Sequence, residues 1–185
     1  MRIIAGQHRG TQLADVGKGD VAAHLRPTSD RVRESLFNVL QGGRFGDPIR
    51  DARVLDLFAG TGALGLEALS RGAAHVTFVE NGAIAAKLIH ANINKVKRRA
   101  DTDILKVDAT RISLANRPCD LVFLDPPYGK GLGAKALLSA REGGWLAQDA
   151  LIVWEEAQPQ IAPAGFDGLD QRKYGDTWIT MMRAP

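Results

Sequence analysis

The sequence lacks the features of a secreted or a membrane protein. Its 185 residues include a single cysteine, Cys119, so no intrachain disulfide can form and a reducing cytoplasm is the expected location. No apolar run approaches the ~20 residues that cross a bilayer. The opening MRIIAGQHRG has neither a long apolar core nor a small-residue cleavage site, so we expect no signal peptide. We therefore predict a cytoplasmic protein without a membrane partner.

Histidine is also scarce, and its positions do not suggest a metal site. The four histidines are scattered along the chain without the spacing of metal ligands; they are His8, His24, His75 and His90. We predict that the protein binds no metal.

The sequence has no large excess of charge of either sign. Its formal net charge is +3 and its isoelectric point is about 9.2, which permits a nucleic-acid partner without requiring one. The segment KVKRR ends a predicted helix, where basic residues either lie in solvent near the helix terminus or contact phosphate. Its basic residues are candidate RNA contacts: Lys95, Lys97, Arg98 and Arg99.

From about residue 52 onward, strand patterns alternate with helix patterns. The predicted strands are 52–58, 75–80, 102–107, 120–125 and 150–156, and the predicted helices are 62–71, 83–97 and about 133–141. Strands that alternate with helices form a parallel sheet covered on both faces. The tail at 169–182 has two extended runs around Tyr174-Gly175-Asp176, which predicts an antiparallel hairpin. The fold class is therefore α/β.

The first fifty residues differ in character and are predicted to extend a main domain at 51–185. RIIAG and GTQLA predict a small hairpin, and RPTSDRVRESLFNVL predicts a helix over 26–40 that follows Pro27. The candidate N-caps are Thr28, Ser29 and Asp30. One face of this helix is apolar, which indicates packing; it carries Val32, Leu36, Val39 and Leu40.

The segment DLFAGTGALG follows the first predicted strand and begins the first helix of the main domain. Gly60, Gly62 and Gly65 match G-x-G-x-x-G, and Glu80 lies twenty residues after Gly60, at the end of the second strand. This pattern is typical of nucleotide binding, in which the backbone approaches the ligand and a carboxylate accepts from ribose hydroxyls. NAD is one cofactor that fits.

S-adenosylmethionine fits the acidic residues better. Asp56 precedes the glycines, where it would repel a pyrophosphate and attract the amino group of a cationic cofactor, and Asp108 can accept from the adenine amino group. With Glu80 and Asp125, these acids end four consecutive strands, whose carboxyl ends meet at one edge of a parallel sheet. The predicted contacts of S-adenosylmethionine are Asp56, Phe58, Gly60, Gly62, Glu80, Asn81, Asp108 and Ala109.

The residues DPPY predict the chemistry. Because proline fixes φ and restricts the residue before it, Asp125-Pro126-Pro127-Tyr128 forms a stiff turn at the end of the fourth strand. The Asp125 carboxylate and the Pro126 carbonyl can accept the two N–H groups of a planar exocyclic amine and direct its lone pair at a methyl donor. Pro127 keeps the turn rigid, and Tyr128 can stack on a flipped or unpaired base.

Several segments resemble the bacterial ribosomal RNA guanine-N2 methyltransferases of the RsmD type. They are RIIAGQHRG, RPTSDRVRESLFNVL, DLFAGTGALGLEALSRGA, FLDPPY and, in the tail, YGDT. The resemblance implies a Rossmann-like methyltransferase fold with a mostly parallel seven-stranded sheet. The implied substrate is the N2 amine of one guanine in small-subunit 16S ribosomal RNA, within an assembling or assembled 30S particle or free. The resemblance also implies that the helix after Pro27 folds over the cofactor, with Arg26, Thr28 and Arg31 near the active site. We expect a monomer.

Three other functions fit parts of the sequence. A DNA adenine-N6 methyltransferase could use the same turn, although such enzymes usually carry an added target-recognition region for which this chain has little room. An NAD-dependent oxidoreductase would leave the turn without a role. An RNA-binding protein without catalytic activity would tolerate the replacement of Asp125.

Overall fold

The computed structural model describes residues 1–15 and 29–185, and a seven-stranded sheet forms its centre. The strand order is β3-β2-β1-β4-β5-β7-β6. The first five strands are parallel, β7 is antiparallel to β5, and β6 is antiparallel to β7. The strands are β1 (Arg53–Leu57), β2 (His75–Val79), β3 (Thr102–Leu105), β4 (Cys119–Leu124), β5 (Leu146–Glu156), β6 (Asp167–Tyr174) and β7 (Thr177–Arg183). The predicted α/β fold with a C-terminal hairpin is confirmed.

Four α-helices cover the two faces of the sheet. They are α1 (Asp30–Gln41), α2 (Ala63–Ser70), α3 (Ala83–Val96) and α4 (Leu132–Glu142). Apolar residues of α1, α2 and α3 form one buried cluster with the sheet, in which the ring centroids of Phe37 and Phe123 lie 5.6 Å apart. Helix α4 packs on the opposite face, where the Trp154 indole lies against Gly133. Within the described ranges, no helix is long and apolar enough to cross a membrane.

The largest differences from the predicted boundaries are in β3 and β5. β3 ends at Leu105, before Lys106-Val107, and β5 begins at Leu146, four residues earlier than predicted. A register shift against β4, with a positive φ at Asp149 (61°), places three extra residues in β5. Helix α1 begins at Asp30 and its N-cap is Ser29, one of the three predicted candidates, whose hydroxyl accepts from the Val32 amide. The predicted helix residues 26–28 lie outside the described part of the chain.

The predicted small N-terminal hairpin is present. Its two arms are joined by a bridge between Arg2 and Gln12 and by backbone hydrogen bonds from the amides of Ile3, Gly10 and Leu13 to the carbonyls of Thr11, Ile3 and Met1. Residues 4–8 of the hairpin also bind α2. The Glu67 carboxylate accepts from the amides of Ile4 and Ala5 at 2.8 and 3.0 Å, and the Ser70 hydroxyl accepts from the His8 amide at 2.9 Å. These side-chain acceptors replace the strand-to-strand bonds of a longer hairpin.

Glu67 also pairs with two arginines, and the sequence analysis did not predict these buried contacts. Its Oε2 lies 3.8 Å from Nε of Arg33 and its Oε1 lies 2.7 Å from Nε of Arg71. The side chains of Arg33 and Glu67 are fully buried. Ile3 and Leu13 join the same apolar cluster as α1 and the sheet, so the N-terminal region packs directly on the main domain.

Candidate functional site

The candidate site lies where the strand order of the sheet reverses. β1 is flanked by β2 on one side and by β4 on the other, and Leu57 pairs with both Val79 and Leu124. The carboxyl ends of these three strands are therefore aligned. Ligands of open α/β sheets bind at such a switch point, outside the carboxyl ends of the strands.

The glycine turn (59–62) connects β1 to α2 at this position. Gly62, the N-cap of α2, has φ of 77°, and its amide donates to the Ala59 carbonyl at 2.7 Å. Phe58, a predicted cofactor contact, also has a positive φ (60°), which costs a residue with a Cβ on the order of 1–3 kcal/mol. Gly65 has a different role, because a Cβ there would lie 2.5 Å from the Phe78 ring. The third glycine of the motif therefore permits close packing of helix and sheet.

The Glu80 carboxylate bridges two loops of the site. Its Oε2 accepts from the Gly60 amide at 2.9 Å, and its Oε1 accepts from the Gly82 amide at 2.7 Å. A carboxylate oxygen has two lone pairs, so each oxygen retains the capacity for one further hydrogen bond. This arrangement suits a ligand with two adjacent hydroxyl groups, such as a ribose.

Asp56 is buried, whereas the other two predicted cofactor-binding acids are more accessible: Glu80 is half-buried and Asp108 is exposed. The Asp56 side chain accepts from the Gly65 amide at 3.0 Å and therefore ties β1 to the first turn of α2. Burial raises the pKa of Asp56 to about 8, against the lowering effect of the Gly65 hydrogen bond and with a further rise from the charge of Glu80. The predicted contact of Asp56 with an amino group stays a prediction.

The predicted adenine contacts lie beyond the ends of β2 and β3. Asp108 is exposed, and its Oδ1 accepts from both the amide and the hydroxyl of Thr110 at 2.8 Å; these bonds lower the pKa of Asp108. Ala109 is buried and Asn81 is exposed. Two exposed apolar side chains that the sequence analysis did not select lie nearby: Ile84 in the first turn of α3 and Val107 in the loop after β3. Apolar residues beside hydrogen-bonding groups are suited to the faces of a purine.

The Asp-Pro-Pro-Tyr turn (125–128) follows β4, directly beside the glycine turn. The Asp125 amide donates to the Leu57 carbonyl at 3.3 Å, which extends the pairing of β4 with β1 into the turn. Pro126 is buried, Pro127 is exposed and Tyr128 is half-buried. The Tyr128 hydroxyl donates to Oε1 of Glu155 at 2.7 Å. The turn is therefore attached to both β1 and β5.

Asp125 lies among other acidic groups. Burial is the largest cause that raises its pKa well above the usual value, followed by the charges of Glu155, Asp56 and Glu156. Burial likewise raises the pKa of Tyr128, so its hydroxyl remains a hydrogen-bond donor near neutral pH. In this site, the Asp125 carboxyl is stabilised by a proton or by a cationic neighbour, and the Tyr128 ring is held through its hydroxyl.

Glu155 and Glu156 are the main site residues that the sequence analysis did not identify. They end β5 in ALIVWEE, and β5 lies next to β4 in the sheet. The signal that identifies them is the one used for the first four strands: an acidic residue at the carboxyl end of a predicted parallel strand.

The basic residues of KVKRR do not lie at this site. Helix α3 starts near the carboxyl end of β2 and returns to the start of β3, so its last turn lies near the opposite edge of the sheet. Lys95 donates to the Gln12 carbonyl at 3.1 Å, and Arg98 pairs with Asp101 and approaches the Leu69 carbonyl at 3.4 Å. Lys97 and Arg99 are exposed. RNA contact by these residues stays a prediction.

The other predicted RNA contacts precede or begin α1. Arg31 is exposed and borders a surface groove of about 260 Å³ together with Arg2, Arg9 and Glu34. Arg26 and Thr28 lie outside the described residues. In the part of the chain that is described, no group of three or more His, Cys, Asp or Glu side chains is placed to hold a metal ion.

Known proteins are similar in sequence to this chain over most of its length. The family model described as Conserved hypothetical protein 95 matches residues 1–183. "Ribosomal RNA small subunit methyltransferase D" of Escherichia coli strain K12 is 39% identical over 155 residues, which are 84% of this chain and 74% of the relative. The protein of the same name from Haemophilus influenzae is 35% identical over 182 residues, which are 95% of this chain and 89% of the relative.

The fold comparison agrees with the sequence comparison. The solved structure of the yhhF protein from Escherichia coli is 35% identical and superposes with a TM-score of 0.81, covering 100% of this chain and 97% of that one. The match includes the N-terminal region as well as the seven-stranded sheet. The chain therefore belongs to the family described as Conserved hypothetical protein 95, the family of the RsmD-type methyltransferases.

Proposed function

We propose that this protein is an S-adenosylmethionine-dependent RNA methyltransferase that methylates the N2 amine of a guanine in small-subunit ribosomal RNA. The observation that carries the proposal is the Asp-Pro-Pro-Tyr turn beside the glycine turn at the switch point, in a chain whose relatives are named as ribosomal RNA methyltransferases. The turn could orient an exocyclic amine of DNA or of RNA, so the substrate is assigned through these relatives.

The chemistry of the donor set fits the cofactor. Glu80 retains an acceptor site on each oxygen for the ribose hydroxyls, the exposed Asp108 can accept from the adenine amino group, and Ile84 and Val107 offer apolar surface to the purine. The buried Asp56 carboxyl, which is protonated near neutral pH, can ionise beside a cationic group but not beside a pyrophosphate, so it favours a cationic ligand. This preference for a cation favours S-adenosylmethionine, a sulfonium, over NAD, which carries a pyrophosphate.

The residues of the Asp-Pro-Pro-Tyr turn orient the amine. An exocyclic amine is a weak nucleophile because its lone pair is delocalised into the ring. The Asp125 carboxylate and the Pro126 carbonyl accept its two N–H groups, which directs the lone pair at the methyl carbon. Bound S-adenosylmethionine would supply that electrophilic carbon, with the N–C bond forming as the C–S bond breaks and the sulfur leaving as a neutral thioether. One N–H proton then departs toward Asp125.

Methyl transfer from labelled S-adenosylmethionine tests the proposal. The acceptors are stripped small-subunit ribosomal RNA, 30S particles and duplex DNA, each prepared from a strain that lacks the gene. We expect label in the RNA or the particle, and digestion to nucleosides should yield N2-methylguanosine. Label confined to DNA as N6-methyladenine, or binding of NAD in place of S-adenosylmethionine in calorimetry, would contradict the assignment. The ratio of rates for particle and stripped RNA identifies the substrate form, and sedimentation tests the proposed monomer.

A further inference from the structure

Two consecutive glutamates of β5 hold the Asp-Pro-Pro-Tyr turn. The Tyr128 hydroxyl donates to Oε1 of Glu155 at 2.7 Å and lies 3.2 Å from the Thr177 hydroxyl of β7. The Gly129 amide donates to Oε1 of Glu156 at 3.0 Å. Because side chains alternate across a strand, the two glutamates approach the turn from the two faces of the sheet. The ring of Tyr128 is therefore fixed at its far end by β5 and β7.

Glu155 is also the lateral neighbour of Asp125. The parallel register pairs Leu124 of β4 with Trp154 of β5, so the next residues along both strands stand side by side. Phe123 and Val153, two positions earlier, lie in the same buried cluster, which places Asp125 and Glu155 on one face of the sheet. Glu155 is only 6% exposed, so water screens its charge weakly.

We propose that Glu155 is a positioning residue of the amine site: it fixes the Tyr128 ring through the hydroxyl and sets a second negative charge beside Asp125. This inference rests on the proposed methyl transfer to a nucleobase amine. The nitrogen becomes positive as it accepts the methyl group, and two adjacent carboxylates stabilise that charge more than one does. A base stacked on a ring held in one orientation presents its amine in one orientation.

Among the described residues, three acidic groups raise the pKa of Asp125. Glu155 and Glu156 approach from β5 and Asp56 from β1, and each raises the pKa of Asp125 in addition to the effect of burial. The Tyr128 hydroxyl is protonated and bonded to Glu155. Asp125 must be ionised to accept an N–H group of the amine, so turnover should increase as pH rises through its titration. Removing the Glu155 charge should move that increase to lower pH.

Carbon-13 NMR of the carboxyl groups tests the charge effect without substrate. In the ligand-free full-length protein, the Asp125 carboxyl carbon should titrate at least about one pH unit lower in Glu155→Gln than in the wild type. Asp120→Asn is the matched control, because Asp120 lies at the opposite end of β4, where it accepts from the Arg53 amide. An Asp125 midpoint unchanged by Glu155→Gln would overturn the proposal.

Steady-state kinetics separates the effect of the Glu155 charge from its effect on the position of the Tyr128 ring. Glu155→Gln keeps an oxygen for the Tyr128 hydroxyl, so it should lower kcat about tenfold and shift the acid limb of the pH profile with little change in KM for RNA. Glu155→Ala should show the same shift and also raise KM, and Tyr128→Phe should raise KM without the shift. Equal KM values in all four proteins would contradict the positioning role. An inactive wild type would instead overturn the proposed function, whereas the NMR titration would still decide the charge effect.

Discussion

At the scale of single residues, Glu80 has the geometry that best fits its predicted role as the ribose contact. Both of its oxygens already hold loop amides, at Gly60 and Gly82, and each can accept one further bond. Glu80→Ala would remove both proposed ribose acceptors and loosen the glycine turn. Hydrogen bonds to a charged group contribute about 1.5–3 kcal/mol each, so the loss of two should raise the Kd for S-adenosylmethionine by at least about 100-fold.

Isothermal calorimetry measures this change directly. Asp103→Asn in β3 is a suitable control, because Asp103 is an exposed acid that pairs with His75. Its Kd should equal that of the wild type. A Glu80→Ala protein that is folded and binds with wild-type affinity would show that the ribose lies elsewhere.

Asp56 predicts a pH dependence of stability. Because burial raises its pKa to about 8, the folded protein keeps this carboxyl protonated from about pH 4 to about pH 8, where the unfolded chain ionises it. The folded state binds more protons in this window, so the free energy of unfolding falls as pH rises. The Asn side chain of Asp56→Asn does not titrate, so the free energy of unfolding of this variant lacks the contribution. Relative to the variant, the wild type should therefore lose stability over this range, by on the order of 5 kcal/mol.

Urea denaturation at a series of pH values measures the effect of Asp56. The relevant quantity is the difference between wild type and Asp56→Asn, because Asp125 adds its own pH dependence to both proteins. A difference that stays constant between pH 4 and pH 8 would mean that Asp56 titrates normally in the folded state.

At the scale of elements, the contact of α2 with β2 depends on Gly65. A Cβ at this position would lie 2.5 Å from the Phe78 ring and 2.7 Å from the Val76 side chain. Gly65→Ala should therefore destabilise the protein by about 1–3 kcal/mol, since the helix must move away from the sheet. The same shift would displace the glycine turn, so cofactor affinity should fall as well.

Gly168→Ala is the matched control for Gly65→Ala. Gly168 lies in β6, its φ is not positive, and an added Cβ meets no atom within 4 Å. Chemical denaturation should show a change of no more than about 0.5 kcal/mol for this variant. Equal stability of the two variants would contradict the close packing of α2 on β2.

The elements differ in how far the sequence alone could predict them. The five parallel strands and the hairpin follow from local patterns, since apolar runs and turn residues lie within each segment. The attachment of the N-terminal hairpin to α2 was not predicted, because its partners there, Glu67 and Ser70, are more than sixty residues away. Glu155 was missed for a related reason: its place beside Asp125 depends on the pairing of β4 with β5. The positions of acids at strand ends were predictable, but their burial and mutual effects required the assembled sheet.

At the scale of the whole molecule, Glu67 joins the N-terminal region to the main domain. It accepts from the amides of Ile4 and Ala5 and lies 3.8 Å from the buried Arg33, which also pairs with Asp30 at 2.8 Å. Glu67→Ala removes one of the two carboxylates beside Arg33 and leaves two amides without their acceptor, and each unsatisfied buried group costs about 1–3 kcal/mol. We expect a correspondingly lower free energy of unfolding, and faster proteolysis within the first fifteen residues of the folded protein.

Asp170→Ala is the control for Glu67→Ala in both denaturation and limited proteolysis. Asp170 forms a more exposed ion pair with Arg44 at 3.2 Å, and such surface pairs contribute at most about 1 kcal/mol. If both variants lost the same small amount of stability, Glu67 would not anchor the N-terminal region.

The central claim is that Asp125 holds a nucleobase amine in front of the methyl donor. The most direct measurement is single-turnover methyl transfer from S-adenosylmethionine to small-subunit ribosomal RNA, by wild type and by Asp125→Ala, with the Kd of the cofactor measured on the same samples. The rate should fall at least about 100-fold while the Kd changes little. A variant that keeps near-wild-type turnover would contradict the claim.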